Sequence, residues 1–568
     1  MKKTKTDAKE LSTMRVFGRL LSLIHGLEGW MVLAILAGVA GFICALGIPV
    51  VAMMAAGSVM DGGYAITWNA CLIALVLFAI LRGALRYGEQ ACNHYIAFRL
   101  LAQIRDIVFG KLRTLGPAKL DGKQKGDLIA LITSDVELLE VFYAHTISPV
   151  LIASISAIFY IAFGFSIHWI VGLVLLAAYF GVAILVPLLI SKSAQEIGTK
   201  RRQANGALTS VVLENVHGLD DIIQYGMEKS RKELMEKRTE ELCAKERALK
   251  KQTILAGNMS LTVVTVFCAL MAVVAGTLAV RGIIPWSHAF VALVFQASSF
   301  GPFMAVANLS TGLSQTIGAA RRVIALLDEE PITPEIEEGE TPAFDGMTVK
   351  DLSFAYSDNS VPVLENLSLE FPKGTITGIE GKSGCGKSTL LRLLMRFYDP
   401  KTGQVLLSDE DLKTVKTTQL RKEQSVVLQD TVLFTDTIAN NLKVAKPSAT
   451  LEEMKEAAKK ANIADLIDSL PEGYNTMLAE GGSSLSSGEK QRLGLVRAFL
   501  HDADMMLLDE PTSNLDSLNE GAILRSVALE SKGRTVVLVS HRKGTLSFAD
   551  RLIHMEDKNN EHRKEARI

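Results

Sequence analysis

A glycine-rich octapeptide, Gly381 to Ser388 (GKSGCGKS), matches the phosphate-binding pattern G-x-x-x-x-G-K-[ST] in full. It follows an apolar run, Thr375–Ile379, and opens a predicted helix, Ser388–Arg396. Glycines let the backbone wrap phosphate groups, while Lys387 neutralises the β- and γ-oxygens and Ser388 ligates Mg²⁺. The sequence therefore predicts an ATP site. We expect the nucleotide to contact Gly381, Ser383, Gly384, Cys385, Gly386, Lys387, Ser388 and Thr389.

Two acids lie downstream, at the end of a second apolar run, Met505–Leu508. Asp509 is the expected Mg²⁺-side carboxylate, and Glu510 can polarise the attacking water as a general base. His541 follows a third apolar run and can hydrogen-bond a γ-phosphate. The alternatives are a solvated strand-end acid and an ordinary surface histidine.

Two further side chains are placed to complete the site. Gln429 follows the run Ser425–Leu428, where a neutral amide can contact both Mg²⁺ and water. Tyr356 precedes the phosphate loop and can stack on adenine, although most tyrosines serve packing. We expect Gln429 as both a catalytic and a metal-binding residue, and Tyr356 as a nucleotide contact.

Cys385 lies within the loop, beside Lys387 and a predicted helix N-terminus. These are the surroundings of reactive cysteines. We expect a thiol alkylator to inhibit ATP hydrolysis and Mg-ATP to protect. The alternative is an inert side chain at a variable loop position.

The elements that position these residues belong to a chain whose composition indicates two different kinds of domain. Its 568 residues are 49% hydrophobic and 21% charged, which indicates an apolar half and a soluble half. The net charge of −1 gives no basic field for nucleic acid, so we expect no such partner. Six segments reach the roughly 20 apolar residues that cross a bilayer. They are Trp30–Ala56, Ile66–Tyr87, Phe142–Phe165, Trp169–Ile190, Thr253–Val280 and Trp286–Asn308.

Charge asymmetry predicts the orientation of these spans. Lys and Arg are concentrated in the amino-terminal segment and in the connections 88–141 and 191–252. The positive-inside rule then places both termini in the cytosol. The amphipathic stretch Met14–Leu27 has the pattern of an interfacial helix. Because the two long connections are almost free of proline, we expect the spanning helices to run on into the cytosol; a break at Gly83 or Gly88 is the alternative.

We expect a transmembrane domain at 1–327, an acidic, proline-containing linker at 328–344, and an α/β ATP-binding domain at 345–568. The fold class is thus an all-α six-helix membrane domain with long cytosolic extensions, followed by an α/β P-loop ATPase domain.

One motif departs from an ideal phosphate contact. LSSGEKQR, Leu485–Arg492, offers hydroxyls and backbone N–H groups at a predicted helix start. Ser487, however, has a side chain at a position that would ideally be a bare glycine, whereas Gly488, the glycine of closest approach, is present. Glu489 suits the helix dipole but brings a negative charge near a triphosphate.

GKSGCGKST, VVLQD, LSSGEKQR, MMLLDEPTSNLD and VSHR stand in the order of the ABC-transporter nucleotide-binding domain, which this half of the chain resembles. The other half, with GDLIALITSDVELLE and AARRVIALLDEEP, resembles exporter-type (type IV) half-transporters. The resemblance implies coupling helices at Lys119–Lys125 and Leu208–Glu214. It also implies these roles: Tyr356 stacking on adenine, Gln429 in the Q-loop, Ser486, Ser487 and Gly488 in the signature, Asp516 in the D-loop, and His541 as the switch histidine.

In that family two half-transporters pair, and each signature completes its partner's ATP site. The resemblance therefore implies a second half-transporter as partner, with ATP and Mg²⁺ as ligands. The family's L-S-G-G-Q is altered here at Ser487 and Glu489, which favours a heterodimer with one fully competent site. A homodimer with two altered sites remains open.

The transported solute is less well defined. Arg82, Arg86 and Glu89 share one face of the second span and form either a solute site or an ion pair, the latter being preferred. Asn258, Gln296, Ser298 and Ser299 are further cavity candidates, or packing residues. Leu85–Leu120 resembles one subunit of the cytochrome bd assembly exporters, which implies outward movement of cysteine or glutathione across a bacterial inner (plasma) membrane. Importers on the same scaffold, lipid, drug or peptide exporters, and a non-transporting regulator are the alternatives.

Overall fold

The structure is a computed structural model that describes residues 13–22, 25–64, 66–121, 125–356, 361–512 and 517–555. The chain divides into two compact units. The first comprises Met1–Lys111 and Lys123–Glu329, and the second comprises Leu112–Gly122 and Glu330–Ile568.

The first unit is built from helices in its described residues. They are α1 (Thr13–Ser22), α2 (Glu28–Met60), α3 (Trp68–Leu115), α4 (Lys125–Ala130), α5 (Val136–Phe142), α6 (Ser148–Ile167), α7 (Trp169–Phe180), α8 (Val186–His217), α9 (Leu219–Gln224), α10 (Glu228–Val280), α11 (Trp286–Ser298) and α12 (Gly301–Leu327). Three π-helical segments connect several of them: Leu131–Asp135, Tyr143–Ile147 and Gly181–Leu185. The last four residues of α3 belong to the second unit.

Six of these helical stretches, among the described residues, are long and apolar enough to cross a membrane. The six spans predicted from the sequence are thereby confirmed. Helices α3 and α10 have 48 and 53 residues and are continuous, with no break at Gly83 or Gly88. At ~1.5 Å per residue they measure about 72 and 80 Å, more than twice the hydrocarbon thickness. The expected extension beyond the bilayer is therefore confirmed.

The sixth span, Trp286–Leu309, is confirmed but interrupted, because α11 ends at Ser298 and α12 begins at Gly301. Pro302 explains the break, since it has no N–H to donate to the Ser298 carbonyl and its ring crowds that carbonyl. Leu208–Glu214, which the resemblance gave as a coupling helix, lies inside α8; the short helix at that turn of the chain is α9.

Aromatic contacts and a bidentate ion pair contribute to the packing of the first unit. The rings of Tyr179 and Phe303 stack with their centroids 4.0 Å apart. Asp135 is 6% exposed and receives two hydrogen bonds from Arg322 of α12, from Nε at 2.6 Å and Nη2 at 2.5 Å. Such a bidentate pair fixes α12 against the π-helical segment that contains Asp135.

The second unit is an α/β structure. Its strands are β1 (Gly346–Phe354), β2 (Leu364–Pro372), β3 (Ile376–Gly381), β4 (Thr402–Leu407), β5 (Glu410–Asp411), β6 (Gln424–Val427), β7 (Met505–Asp509), β8 (Thr535–Val539) and β9 (Arg551–Met555). Its helices are α13 (Lys387–Leu394), α14 (Thr417–Glu423), α15 (Ile438–Lys443), α16 (Leu451–Lys460), α17 (Ala464–Ser469), α18 (Ser487–His501), α19 (Ser517–Glu530) and α20 (Lys543–Leu546).

Within the described residues these strands form two sheets. One is antiparallel in the order β2-β1-β4-β5, and the other is parallel in the order β6-β7-β8-β3-β9. β7 and β8 are buried along their whole length, as expected of central parallel strands. Because β7, β8 and β3 are neighbours, their carboxyl ends bring the phosphate loop, Asp509–Glu510 and His541 to one edge of the sheet.

Leu112–Gly122 groups with the second unit through Asp121. Its carboxylate accepts hydrogen bonds from Arg392 at 2.9 Å and from the Tyr398 hydroxyl at 2.6 Å. Burial raises the pKa of Tyr398, and the hydrogen bond to the Asp121 carboxylate raises it further. The coupling helix that the resemblance gives at Lys119–Lys125 overlaps this segment in sequence.

Candidate active site

A cavity of about 720 Å³ opens at this sheet edge. It is lined by Tyr356, Val363, Ser383, Gly384, Gly386, Lys387, Ser388, Thr389, Gln429, Asp509, Glu510 and His541. Eleven of these twelve were singled out from the sequence, and Val363 was not. The cavity therefore brings together most of the predicted nucleotide-site residues.

The phosphate loop owes its shape to two glycines with left-handed backbone angles, Gly384 (φ 89°) and Gly386 (φ 102°). A Cβ added to Gly386 would lie 2.6 Å from a Leu364 methyl group, so a side chain is excluded there on two grounds. Lys387 begins α13 and donates from Nζ to the carbonyls of Gly381 (2.8 Å) and Lys382 (2.9 Å). The ammonium group is thus held across the loop, where a phosphate would replace neutral acceptors with anionic ones.

Asp509 is 6% exposed at the end of β7. Burial raises the pKa of Asp509, a hydrogen bond with Ser388 lowers it, and the nearby charge of Glu510 raises it. The Ser388 hydroxyl and the Asp509 carboxylate are therefore adjacent. Two hard oxygen ligands of this kind suit Mg²⁺, which usually takes one or two protein oxygens and completes its shell with phosphates and water.

Glu510 and His541 form a pair at the cavity wall. His541 Nδ1 lies 3.0 Å from Glu510 Oε1, and the histidine side chain is 57% exposed. Glu510 has a left-handed φ of 49°, which the Glu510 N–H to Val539 carbonyl bond (2.9 Å) helps to maintain. Strained backbone of this kind persists where neighbouring contacts enforce it, and it is frequent at functional sites.

Gln491 is a site residue that the sequence analysis missed. This side chain of α18 is fully buried, and its Nε2 donates to the Glu510 carbonyl at 2.6 Å. It thereby holds the Glu510 carbonyl, while the Val539 carbonyl holds the Glu510 N–H. A glutamine on the apolar face of a predicted helix was the available signal.

Tyr356 and Gln429 both line the cavity. The Tyr356 hydroxyl is 2.9 Å from Thr389 Oγ1, and its ring packs edge-on against Phe354 and Tyr398. With 45% of the residue exposed, ring surface remains open to the cavity. Adenine stacking by Tyr356 and metal contact by Gln429 stay predictions.

Gly381 and Cys385 do not line the cavity. Cys385 is 5% exposed and packs in the hydrophobic core of the second unit, with its Sγ 3.8 Å from Lys387 Nζ. A nucleotide would contact Cys385 through its main chain rather than its thiol. This burial favours the inert alternative, and inhibition by alkylation stays a prediction.

The signature segment starts α18 and has its own hydrogen-bond pattern. Ser486 is the N-cap: its Oγ accepts from the Glu489 N–H at 3.3 Å, and Glu489 Oε2 accepts from the Ser486 N–H at 2.8 Å. This reciprocal capping box turns the Glu489 carboxylate back onto the backbone. Ser486–Gly488 lie outside the residues that line the nucleotide cavity. Asp516 of the predicted D-loop falls outside the described residues.

The charged residues of α3 support the ion-pair interpretation. Arg86 Nη1 lies 2.6 Å from Glu89 Oε2, and Glu89 is 3% exposed, whereas Arg82 is exposed. Gln296 and Ser299 are fully buried, and Ser299 accepts a hydrogen bond from the Tyr179 hydroxyl at 2.7 Å. These two residues therefore pack within the unit, which agrees with the interpretation of them as packing residues rather than cavity residues.

A bundle of apolar helices and a phosphate-loop ATPase site on one chain define a membrane-bound ATPase. Family comparison agrees: residues 30–303 match the "ABC transporter transmembrane region" and residues 364–513 match "ABC transporter". A "Probable ABC transporter ATP-binding/permease protein" of Haemophilus influenzae is 41% identical over 544 residues, covering 95% of this chain and 98% of that one. The chain belongs to the ABC transporter family, and it combines one membrane domain with one ATP-binding domain.

More distant relatives and a solved structure extend the comparison. An "ATP-dependent lipid A-core flippase" of Chromobacterium violaceum is 29% identical over 95% of this chain and 92% of its own length. A "Putative multidrug export ATP-binding/permease protein" of Staphylococcus aureus is 30% identical over 85% of this chain and 84% of its own length. A bacterial Atm1-family ABC exporter solved with ATP bound superposes with a TM-score of 0.84 at 22% identity, over 94% of each chain, so the type IV exporter fold is shared.

Membership defines the activity in outline. The ATP-binding domain hydrolyses ATP, and hydrolysis is coupled to transport. Because the chain provides one membrane half and one ATPase half, it must dimerise to function.

Proposed function

We propose that this chain is one half of a dimeric ATP-driven exporter, with Glu510 as the general base of its ATPase site. The observation that supports this most directly is the Glu510–His541 pair (3.0 Å) beside Lys387 and Asp509 in one cavity. A carboxylate oriented by a second side chain and by fixed backbone bonds is suited to orient and deprotonate a water molecule. The other side chains bind and neutralise phosphates.

The residues divide the work as follows. Lys387 releases its two carbonyl acceptors and pairs with phosphate oxygens. His541, with a proton on both ring nitrogens, donates from Nδ1 to Glu510 and from Nε2 to a γ-phosphate. Tyr356 stacks on adenine. Ser486 and Gly488 contact the nucleotide held by the partner subunit, so that closure of the dimer completes each site.

Mg²⁺ would be held by Ser388 and Asp509, with Gln429 contributing through the water it orders, and it would neutralise phosphate charge. Among the described residues there is no group of three or more His, Cys, Asp or Glu side chains that could hold a metal ion alone. Binding that depends on the nucleotide's own oxygens is consistent with this arrangement.

We propose a bacterial inner-membrane location, with the ATP-binding domain and both termini in the cytosol. The concentration of Lys and Arg in the two long connections supports this orientation. The altered signature supports a heterodimer. Cysteine crosslinking between two tagged copies of this chain in membranes would identify a homodimer instead.

The exported solute is proposed to be a small thiol, cysteine or glutathione, on the resemblance of Leu85–Leu120. A second candidate, an amphiphilic lipid or drug, is supported by the names of the flippase and multidrug relatives. Inside-out vesicles distinguish them, because ATP-dependent uptake of radiolabelled glutathione supports the first and loss of labelled lipid from one leaflet supports the second. ATP-driven efflux from such vesicles would mean import.

Glu510→Gln tests the base directly. The amide keeps the shape but cannot take a proton, so hydrolysis should fall by about 10²-fold or more while ATP binding persists. Glu370→Gln, at an exposed acid on β2, is the matched control and should leave hydrolysis unchanged. Retention of wild-type turnover by the Glu510→Gln protein would refute the assignment.

A further inference from the structure

The second unit contains another cavity, of about 430 Å³, that shares no lining residue with the nucleotide cavity. Its walls come from the end of α3 and the following turn, from the segment Thr333–Glu335, from the residues after α13, and from α14. All four stretches belong to the same compact unit. The volume falls in the range of small-ligand sites, ~300–1,000 Å³.

Three arginines line this cavity: Arg113, Arg396 and Arg421. Glu335 is the carboxylate in its lining. Asp399 lies nearby but is engaged by Arg396, whose Nε is 3.3 Å from Asp399 Oδ1. The guanidinium charges therefore exceed these carboxylate charges by one.

Two of the arginines lie close together, Arg396 buried and Arg421 half-buried. Arg396 is 6% exposed and has a left-handed φ of 51°. Arg421 donates from Nη1 to the Met395 carbonyl, a neutral acceptor, and its guanidinium lies 5.0 Å from the Phe397 ring centroid. Burial lowers the pKa of Arg421, the charge of Arg396 lowers it further, and Glu335 partly opposes this. Positive charge at this wall is thus incompletely compensated.

We propose that this cavity binds a phosphate-bearing anion through Arg113, Arg396 and Arg421. Guanidinium groups present paired N–H donors that match phosphate oxygens, and such charge-assisted bonds are roughly twice as strong as neutral ones. An anion placed among the three would also reduce the repulsion between Arg396 and Arg421. Hydroxyls of Thr417 and Thr418 line the same space and add polar contacts.

The anion would connect segments that are far apart in sequence. Thr333 Oγ1 already donates to the Phe397 carbonyl at 3.1 Å, and the Ile336 N–H donates to Thr417 Oγ1 at 2.9 Å. Arg113 belongs to Leu112–Gly122, so a shared anion would fasten that segment to the remainder of the second unit. The site is separate from ATP hydrolysis, and its test does not depend on the transported solute.

The experiment uses the full dimer in phosphatidylcholine nanodiscs, carrying Glu510→Gln and saturated with Mg-ATP so that the nucleotide cavity is blocked. Inorganic pyrophosphate is titrated calorimetrically at fixed free Mg²⁺. Arg113 is exposed, so Arg113→Ala should fold normally and weaken pyrophosphate binding by about tenfold. Arg551→Ala removes an exposed arginine of β9, outside the cavity lining, and should leave binding unchanged.

A second arm identifies the source of the phosphate group. In nanodiscs containing phosphatidylglycerol, a lipid headgroup would compete with pyrophosphate in the protein that retains Arg113, whereas a soluble anion would bind equally in both discs. Either result supports the site. Pyrophosphate binding that the Arg113→Ala and Arg551→Ala proteins retain equally, or no binding beyond the nucleotide cavity, would overturn it.

Discussion

The capping box of α18 makes the altered signature testable. Glu489 Oε2 accepts from the Ser486 N–H at 2.8 Å, a role that a glutamine oxygen can also fill. Glu489→Gln therefore keeps the box and removes one negative charge, whereas Glu489→Ala removes both. The matched control is the second capping box in this unit, Thr450 with Glu453 at the start of α16, which lies outside the nucleotide cavity.

The expected magnitudes follow from these contacts. Losing the box costs about 1 kcal/mol, which for a domain of this size lowers the melting temperature by about 2–4 °C. Losing only the carboxylate charge in the first turn costs about 0.5 kcal/mol. Against this, a negative charge placed about 10 Å from the triphosphate bound by the partner subunit would oppose ATP binding by roughly 1 kcal/mol, or about fivefold in affinity.

We therefore expect Glu489→Gln to lower the KM for ATP by about threefold to tenfold with a melting shift near 1 °C. Glu489→Ala should lower the melting temperature more, and Glu453→Gln should leave the KM unchanged. ATPase kinetics and thermal unfolding of the assembled transporter supply both readouts. An unchanged or raised KM in the Glu489→Gln protein would show that this carboxylate does not face the partner's phosphates.

Three further predictions concern stability. Gly38→Ala should destabilise the protein by about 1–3 kcal/mol, because the added Cβ would lie 2.3 Å from a buried isoleucine methyl. Gly83→Ala, where the added Cβ would have no atom within 4 Å, should be neutral or stabilising; equal melting temperatures for the two variants would refute this. Hydrogen bonds from Lys446 and from the Thr450 N–H lower the pKa of Glu453 from 4.5 to about 2, so its contribution to folding stability is complete above pH 4.5 and is lost toward pH 2; the difference in melting temperature from Glu453→Gln should close over that interval. Arg322→Gln should cost about 2 kcal/mol by leaving Asp135 without its bidentate partner, and Asp135→Asn in the same protein should recover part of that loss. An Arg322→Gln protein as stable as the wild type would contradict this last prediction.

The membrane half could be predicted where periodic apolarity alone decides the structure. The continuous helices α3 and α10 follow from a lack of proline and a steady helical pattern. The π-helical segments did not, because the extra residue in such a turn is accommodated by packing partners that a single sequence does not identify. The break before Gly301 had a sequence signal in Pro302, which was outweighed by the apolarity of the flanking residues.

The nucleotide site was predictable to a different degree. Residues whose backbone must wrap phosphate, such as Gly384 and Gly386, form a motif with little freedom in spacing. Gln491 acts on the main chain of a residue nineteen positions away, so its place on an apolar helix face indicates burial but does not identify its partner. The orientation of Glu489 also depends on where α18 begins, and helix starts are among the least certain features of a sequence-based assignment.

The 53 residues of α10 form one uninterrupted rod. A rigid lever about 80 Å long converts a tilt of about 5° at one end into a displacement of about 7 Å at the other. Tilts of α10 that are too small to disturb close packing among the spans can therefore displace its opposite end by more than the diameter of a water molecule, with no hinge within the helix.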